Sequence, residues 1–147
     1  MKAGNLFAND TEIGRIGQGV LARTLPKPEW THAAHFAAAL WLMRHRPDLD
    51  LAREMPGFIR AYNEATGVVN DDTGGYHETI TQASLRAARA ELARHDPGAP
   101  LHGVLNALLA TKLGKSDWPL EYWSKDLLMS AGARREWRDP DIKPLPF

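Results

Sequence analysis

The sequence predicts an all-α protein, a single-domain bundle of about five helices with an extended C-terminal tail. Three observations carry this expectation. Apolar residues recur with the helical period in successive segments, no segment alternates apolar and polar residues with the period of two that a half-buried strand needs, and cap and breaker residues sit between the segments. No internal repeat or low-complexity linker interrupts the 147 residues. Residues 1–147 therefore read as one domain, and a compact chain of this size buries roughly 68–70% of its unfolded surface.

The elements follow in order. Residues 11–23, TEIGRIGQGVLAR, place Ile13, Ile16, Val20 and Leu21 on one stripe behind Asp10 as N-cap, although the glycines weaken that helix. LPKPEW stops it, and Thr31 caps a second helix that runs to about Arg46, where Pro47 ends it. This helix is apolar nearly all round and is expected at the centre. From Asp48 to Thr66 the set Leu51, Met55, Phe58, Ile59 and Tyr62 keeps the helical period, with Pro56-Gly57 expected to kink or divide it. VVNDDTGG, residues 68–75, reads as a loop feeding a helix from Tyr76 to about His95. A further helix starts at Leu101 with Val104, Leu105, Leu108 and Leu109 on one face, and a last one lies around PLEYWSKDLLM. The turn AGARREW and the tail RDPDIKPLPF close the chain, the tail carrying Ile142, Leu145 and Phe147 either against the bundle or in a disordered terminus.

Composition narrows the function. Lys plus Arg and Asp plus Glu number 18 each, so no overall field draws in nucleic acid or an anionic bilayer. The absence of cysteine removes disulfides, thiolate metal sites and Cys nucleophiles together, and any metal must use nitrogen and oxygen ligands. The first residues lack the apolar core of a signal peptide, and the longest apolar stretch, residues 33–43, is too short to span a bilayer. A soluble cytoplasmic protein is expected.

The chemistry, if any, lies in the histidines. His45 and His95 each sit at an expected helix C-terminus, where the dipole alone accounts for them, and His102 opens a helix and is expected in solvent. His32 and His35 differ: the i, i+3 spacing puts both rings on one face of the central helix, their Cβ atoms about 5–6 Å apart. His77 heads a small polar stripe with Thr81 and Ser84 on the helix after the loop. Two polar stripes in a small bundle are expected to face each other across a cavity. The competing explanation is structural, with neutral core imidazoles bonded to carbonyls and to the hydroxyls of Thr31, Thr79 or Thr81.

HETIT, His77 to Thr81, resembles the zincin HExxH with the second histidine replaced by threonine. What survives of that template is a three-histidine site, His32, His35 and His77, with an open position and with Glu78 as base or supporting partner. Such a set suits Zn, Cu, Ni or Fe. Trp30 stands beside Thr31 as a wall for the cavity, and Asn63, Asn70 and Tyr76 are polar neighbours in sequence. NDDTGG reads as an anion-binding helix start or as a glycine turn capped by Asp72 or Thr73. Arg134 and Arg135 are expected in solvent.

LPKPEWTHAAHF, YNEATG, GGYHETIT and SAGARREWRDPDIKPLPF together resemble a group of small bacterial all-helical proteins that share TH-x-x-H, YHET-[IL]-T and AR-x-x-[WF]-x-x-PD-x-x-PL blocks. The likeness runs from Leu25 onward and implies that these blocks belong to one fold; it brings no reaction with it. A looser analogy is to the damage-inducible four-helix metalloproteins, which hold a divalent metal through three histidines, though with a different histidine spacing. Three functions are therefore expected to compete. The first is a metal-binding protein or metal-dependent enzyme that acts on a small molecule, with His32, His35 and His77 as ligands. The second is a metal-free acid–base site using His77 or His35 with Glu78. The third is a pocket formed by Trp30, Asn63, Tyr76 and Thr81 that holds a small ligand without chemistry. The substrate and the oligomeric state are not legible.

Overall fold

The computed structural model describes residues 7–147. These residues form seven helices and no strand: α1 Asp10–Ala22, α2 His32–His45, α3 Leu51–Ala65, α4 Glu78–Ala93, α5 Leu101–Leu109, and the short α6 Lys125–Leu128 and α7 Ala131–Arg135. Helix α2 occupies the centre, packed against α1, α4 and α5, and its buried face runs from Ala34 through Leu42. A helix with apolar residues on nearly every side can satisfy them only when surrounded, which is why this one is the axis of the bundle. The four alanines at 34 and 37–39 are all buried, and their short side chains let neighbouring helices approach closely.

Several boundaries differ from the sequence expectation, each for a local reason. Helix α1 is capped by Asn9, whose side chain accepts from Glu12 N. The carboxylate of Asp10 instead reaches α5, where it accepts from Leu101 N, His102 N and His102 Nδ1. His102 is thereby paired rather than merely solvated. The glycines that weaken α1 as an isolated helix make room for a ring: a Cβ on Gly17 would lie 2.7 Å from Trp41 Cε3. Trp41 is accordingly a half-buried cover over α1 rather than a fully enclosed core residue.

Helix α3 passes through Pro56 without dividing. Proline lacks the N–H that would bond the carbonyl four residues back, Ala52. Gln82 of α4 supplies the missing donor, its Nε2 lying 2.7 Å from Ala52 O. Helix α4 starts at Glu78 rather than Tyr76, with His77 as its N-cap. The glycine loop before it closes on itself: Asp71 Oδ1 accepts from Thr73 N and Gly74 N, and Gly75 takes φ +77, where a side chain would meet Val69 O.

PLEYWSKDLLM forms a 3₁₀ turn over Trp118–Glu121 and then α6, each too short to continue because Ser124 and then Ser130 restart the backbone as caps. The tail is extended and attached. Ile142 N donates to Tyr122 O, Asp141 accepts from Ser124, and the Phe147 ring sits edge-on to Trp118 at 6.0 Å. Leu145 and Phe147 pack on the core, whereas the Ile142 side chain is exposed. No helix among the described residues is long and apolar enough to cross a membrane.

Candidate functional site

The N-terminal halves of α2 and α4, with α3 beside them, enclose two adjoining cavities. The first, about 300 Å³, is walled mainly by apolar side chains such as Phe36, Ile59, Leu85 and Trp118, with His32, His35, Thr81, Ser84 and Ser116 as its polar members. The second, about 350 Å³, lies toward the loop before α4 and takes in Trp30, Asn63, Tyr76 and His77. His35, Ile59, Ile80 and Thr81 belong to both walls, so the cavities meet at His35. His32 and His35 share the wall of the first cavity with Thr81 and Ser84, whereas His77, expected at the head of the second stripe, lines only the second cavity.

Each imidazole reveals its tautomer through a carbonyl partner, because a carbonyl oxygen only accepts and the ring nitrogen beside it must carry the hydrogen. His32 Nε2 donates to Leu113 O at 2.8 Å, and His35 Nδ1 donates to Thr31 O at 2.6 Å. His77 Nε2 donates to Leu128 O at 2.6 Å, while its Nδ1 accepts from Ile80 N at 3.2 Å. The rings therefore fall into two kinds. His77 has both nitrogens engaged. His32 and His35 each engage one, and the other, Nδ1 of His32 and Nε2 of His35, has no protein partner among the described residues.

His35 has the more unusual setting. Its ring stacks on Trp30, centroids 3.7 Å apart, and Trp30 in turn stands edge-on to Tyr62. Burial pushes the imidazole down to about 4, against the opposing pull of its bond to Thr31 O, with a smaller push in the same direction from His32. At neutral pH the ring is therefore uncharged, with its proton on Nδ1 and a bare lone pair on Nε2. Burial also holds His77 below its ordinary value, while its bond to Leu128 O acts in the opposite sense.

The expected three-histidine centre is not assembled. His77 acts as helix cap and tether and has no lone pair left for an ion. Among the described residues no three His, Asp or Glu side chains are grouped as a metal would require. The zincin-like reading of HETIT fails on the same point, since its histidine precedes the helix instead of lying on it. Glu78, expected as base, lies in neither cavity wall. Its carboxylate accepts from Tyr76 Oη at 2.5 Å and from Gln82 Nε2 at 3.3 Å. Burial and then this bond hold the Tyr76 hydroxyl protonated far above its usual range.

All four expected ligand-binding residues line the cleft, Trp30 while stacked on His35, and Asn63 and Tyr76 while also holding the loop. Asn63 Nδ2 and Tyr76 N both donate to Asn70 Oδ1. Sequence reasoning missed Ser116 and Trp118, which reach the first cavity from the 3₁₀ region, and it missed the clamp on the loop. Arg134 Nη1 donates to the carbonyls of Gly75 and Tyr76, and Arg135 pairs with Asp72. Arg135 is solvent-exposed, as expected, and also pairs with Asp72, while Arg134 is half-buried over the loop. Helix periodicity carries no signal for either feature, because both arise from segments brought back from the far end of the chain.

No protein-family model, curated protein or solved structure matches the chain.

Proposed function

We propose that the cleft between α2 and α4 is a small-molecule site whose working group is the His35 imidazole. One observation carries this reading: the His35 ring, held by the Thr31 carbonyl and the Trp30 stack, lines both cavities, and its Nε2 has no partner among the described residues. A neutral imidazole with one fixed nitrogen accepts a hydrogen bond from a ligand, and it takes the proton where that ligand is acidic enough to give it up. Thr81 and Ser84 across the cavity supply hydroxyls that orient the ligand. His77 and Glu78, the residues first expected to do the chemistry, hold the second wall in place instead.

The test is a ligand-observed NMR fragment screen on the wild type and on His35→Gln. Compounds that bind the wild type, move the His35 resonances and are lost in the variant at an unchanged melting temperature support the site. Hits that His35→Gln leaves intact would sink it.

A second reading keeps a metal ion, and it rests on the two bare nitrogens on one cavity wall, His32 Nδ1 and His35 Nε2. Two imidazoles make half of a tetrahedral set, so the ligand or water would complete the coordination of Zn, Cu, Ni or Fe. Titrating the protein with each ion and following both rings by NMR decides between the readings. Shifts in both rings at stoichiometric metal favour the ion, and no shift favours the metal-free base.

A further inference from the structure

Among the described residues the walls of the two cavities contain no Asp, Glu, Lys or Arg, although 24% of the chain is charged. The nearby charged groups have contacts of their own, although the buried Nε of Arg134 has no partner among the described residues. Glu78 is held by Tyr76 and Gln82, Arg134 by the Gly75 and Tyr76 carbonyls, and Arg60 lies over the Tyr76 ring at 4.6 Å. At each helix start that adjoins the cleft a side-chain cap takes one of the N–H groups, Thr31 Oγ1 accepting from Ala34 N and His77 Nδ1 from Ile80 N. An ion settling against these walls exchanges part of its hydration for mostly apolar surface and meets no charged side chain in the described walls. Size is set by the walls as well: the first cavity alone has about 300 Å³, against the roughly 150 Å³ of an apolar cavity that admits benzene.

Building on the His35 reading, we propose that the ligand is an uncharged molecule of about two fused rings, largely apolar, with one N–H or O–H donor that bonds His35 Nε2. The apolar walls from Phe36, Ile59 and Leu85 cover its faces, and the donor points to the junction of the cavities. The hydroxyls of Thr81, Ser84 and Ser116 serve whatever acceptor it carries. Specificity then comes from shape and a single hydrogen bond, with charge as the grounds for exclusion.

Four probes of related shape test this on the full chain: indole, 1-methylindole, indole-3-carboxylate and tryptamine. Calorimetry gives affinities, and long-range ¹H–¹⁵N spectra report His35 Nε2. Indole is expected to bind and to move Nε2. 1-Methylindole, which lacks the N–H, is expected to bind about tenfold more weakly, the loss of one hydrogen bond. The carboxylate and the ammonium are expected to bind at least about 100-fold more weakly than indole. In His35→Phe the difference between indole and 1-methylindole closes. A charged probe binding within about tenfold of indole and moving Nε2 overturns the exclusion of charge while leaving His35 as the working group. Equal binding of indole and 1-methylindole overturns the donor requirement. If no probe moves Nε2, the His35 reading and this proposal fall together.

Discussion

Helices α2 and α4 start beside the same cleft, and each carries histidine in its opening residues, yet the two starts are built for opposite ends. At α2 the cap is a threonine, which leaves the imidazoles of His32 and His35 with one bond each. At α4 the histidine is itself the cap, and a returning C-terminal segment bonds to the residues around it. His77 reaches Leu128 O, Thr79 Oγ1 reaches the carbonyls of Ala133 and Glu136, and Arg134 ties down Gly75 and Tyr76. The difference teaches that a buried histidine is assigned by counting the partners of both ring nitrogens. Burial and sequence neighbours do not separate the two cases, because both rings are shielded and both are held below their usual pKa.

The sharpest way to break the contrast is to truncate both rings. His77→Ala removes the cap of α4 and leaves Leu128 O unpaired, and it is expected to cost about 2–4 kcal/mol. His35→Ala releases only the exposed Thr31 carbonyl and a stacking contact, and it is expected to cost about 1 kcal/mol. Urea unfolding measures both, and equal losses would erase the distinction drawn between the rings.

A second effect, on the order of 2 kcal/mol, concerns acid. With the folded His35 titrating at about 4 and an unfolded histidine near 6.5, the unfolded chain binds the proton first. Stability therefore rises with pH between these values and is lost as the pH falls from about 6.5 toward 4, with no contribution above that window. His77 pulls in the same direction, so the comparison is between wild type and His35→Gln. The variant should show a shallower loss of stability over that window, and an unchanged slope would assign the acid sensitivity elsewhere.

The smallest effect tests the clamp. Arg134→Met keeps the aliphatic stem and removes the two loop bonds. Because the side chain is half-buried, the expected cost is only about 1 kcal/mol. Its distinctive readout is faster amide exchange in residues 68–76, with α2 unaffected. Uniform acceleration across the bundle would show that the arginine supports the whole fold rather than the loop.

The sequence made the bundle, the central place of α2 and the meeting of His32 and His35 with Thr81 and Ser84 in one cavity wall legible, because each depends on helical spacing within one segment. The division expected at Pro56 did not arise, and the donor that reaches Ala52 O comes from Gln82, 30 positions after it. The reading of His77 as a ligand failed for the same kind of reason. Nothing between residues 76 and 95 shows that Leu128 will present a carbonyl to its ring. Local pattern displays which residues share a face; what occupies their polar atoms is decided by chain that arrives from elsewhere.

That arrival has a direction in time. Ribosomes release a chain from its N-terminus, so the walls of the cleft drawn from α2, α3 and α4 exist before residues 116–138 do. Until that later stretch emerges, Thr79 and His77 lack their carbonyl partners, the glycine loop is unfastened, and the cavity has no Ser116 or Trp118. Completion of the pocket therefore waits on the synthesis and return of this later stretch.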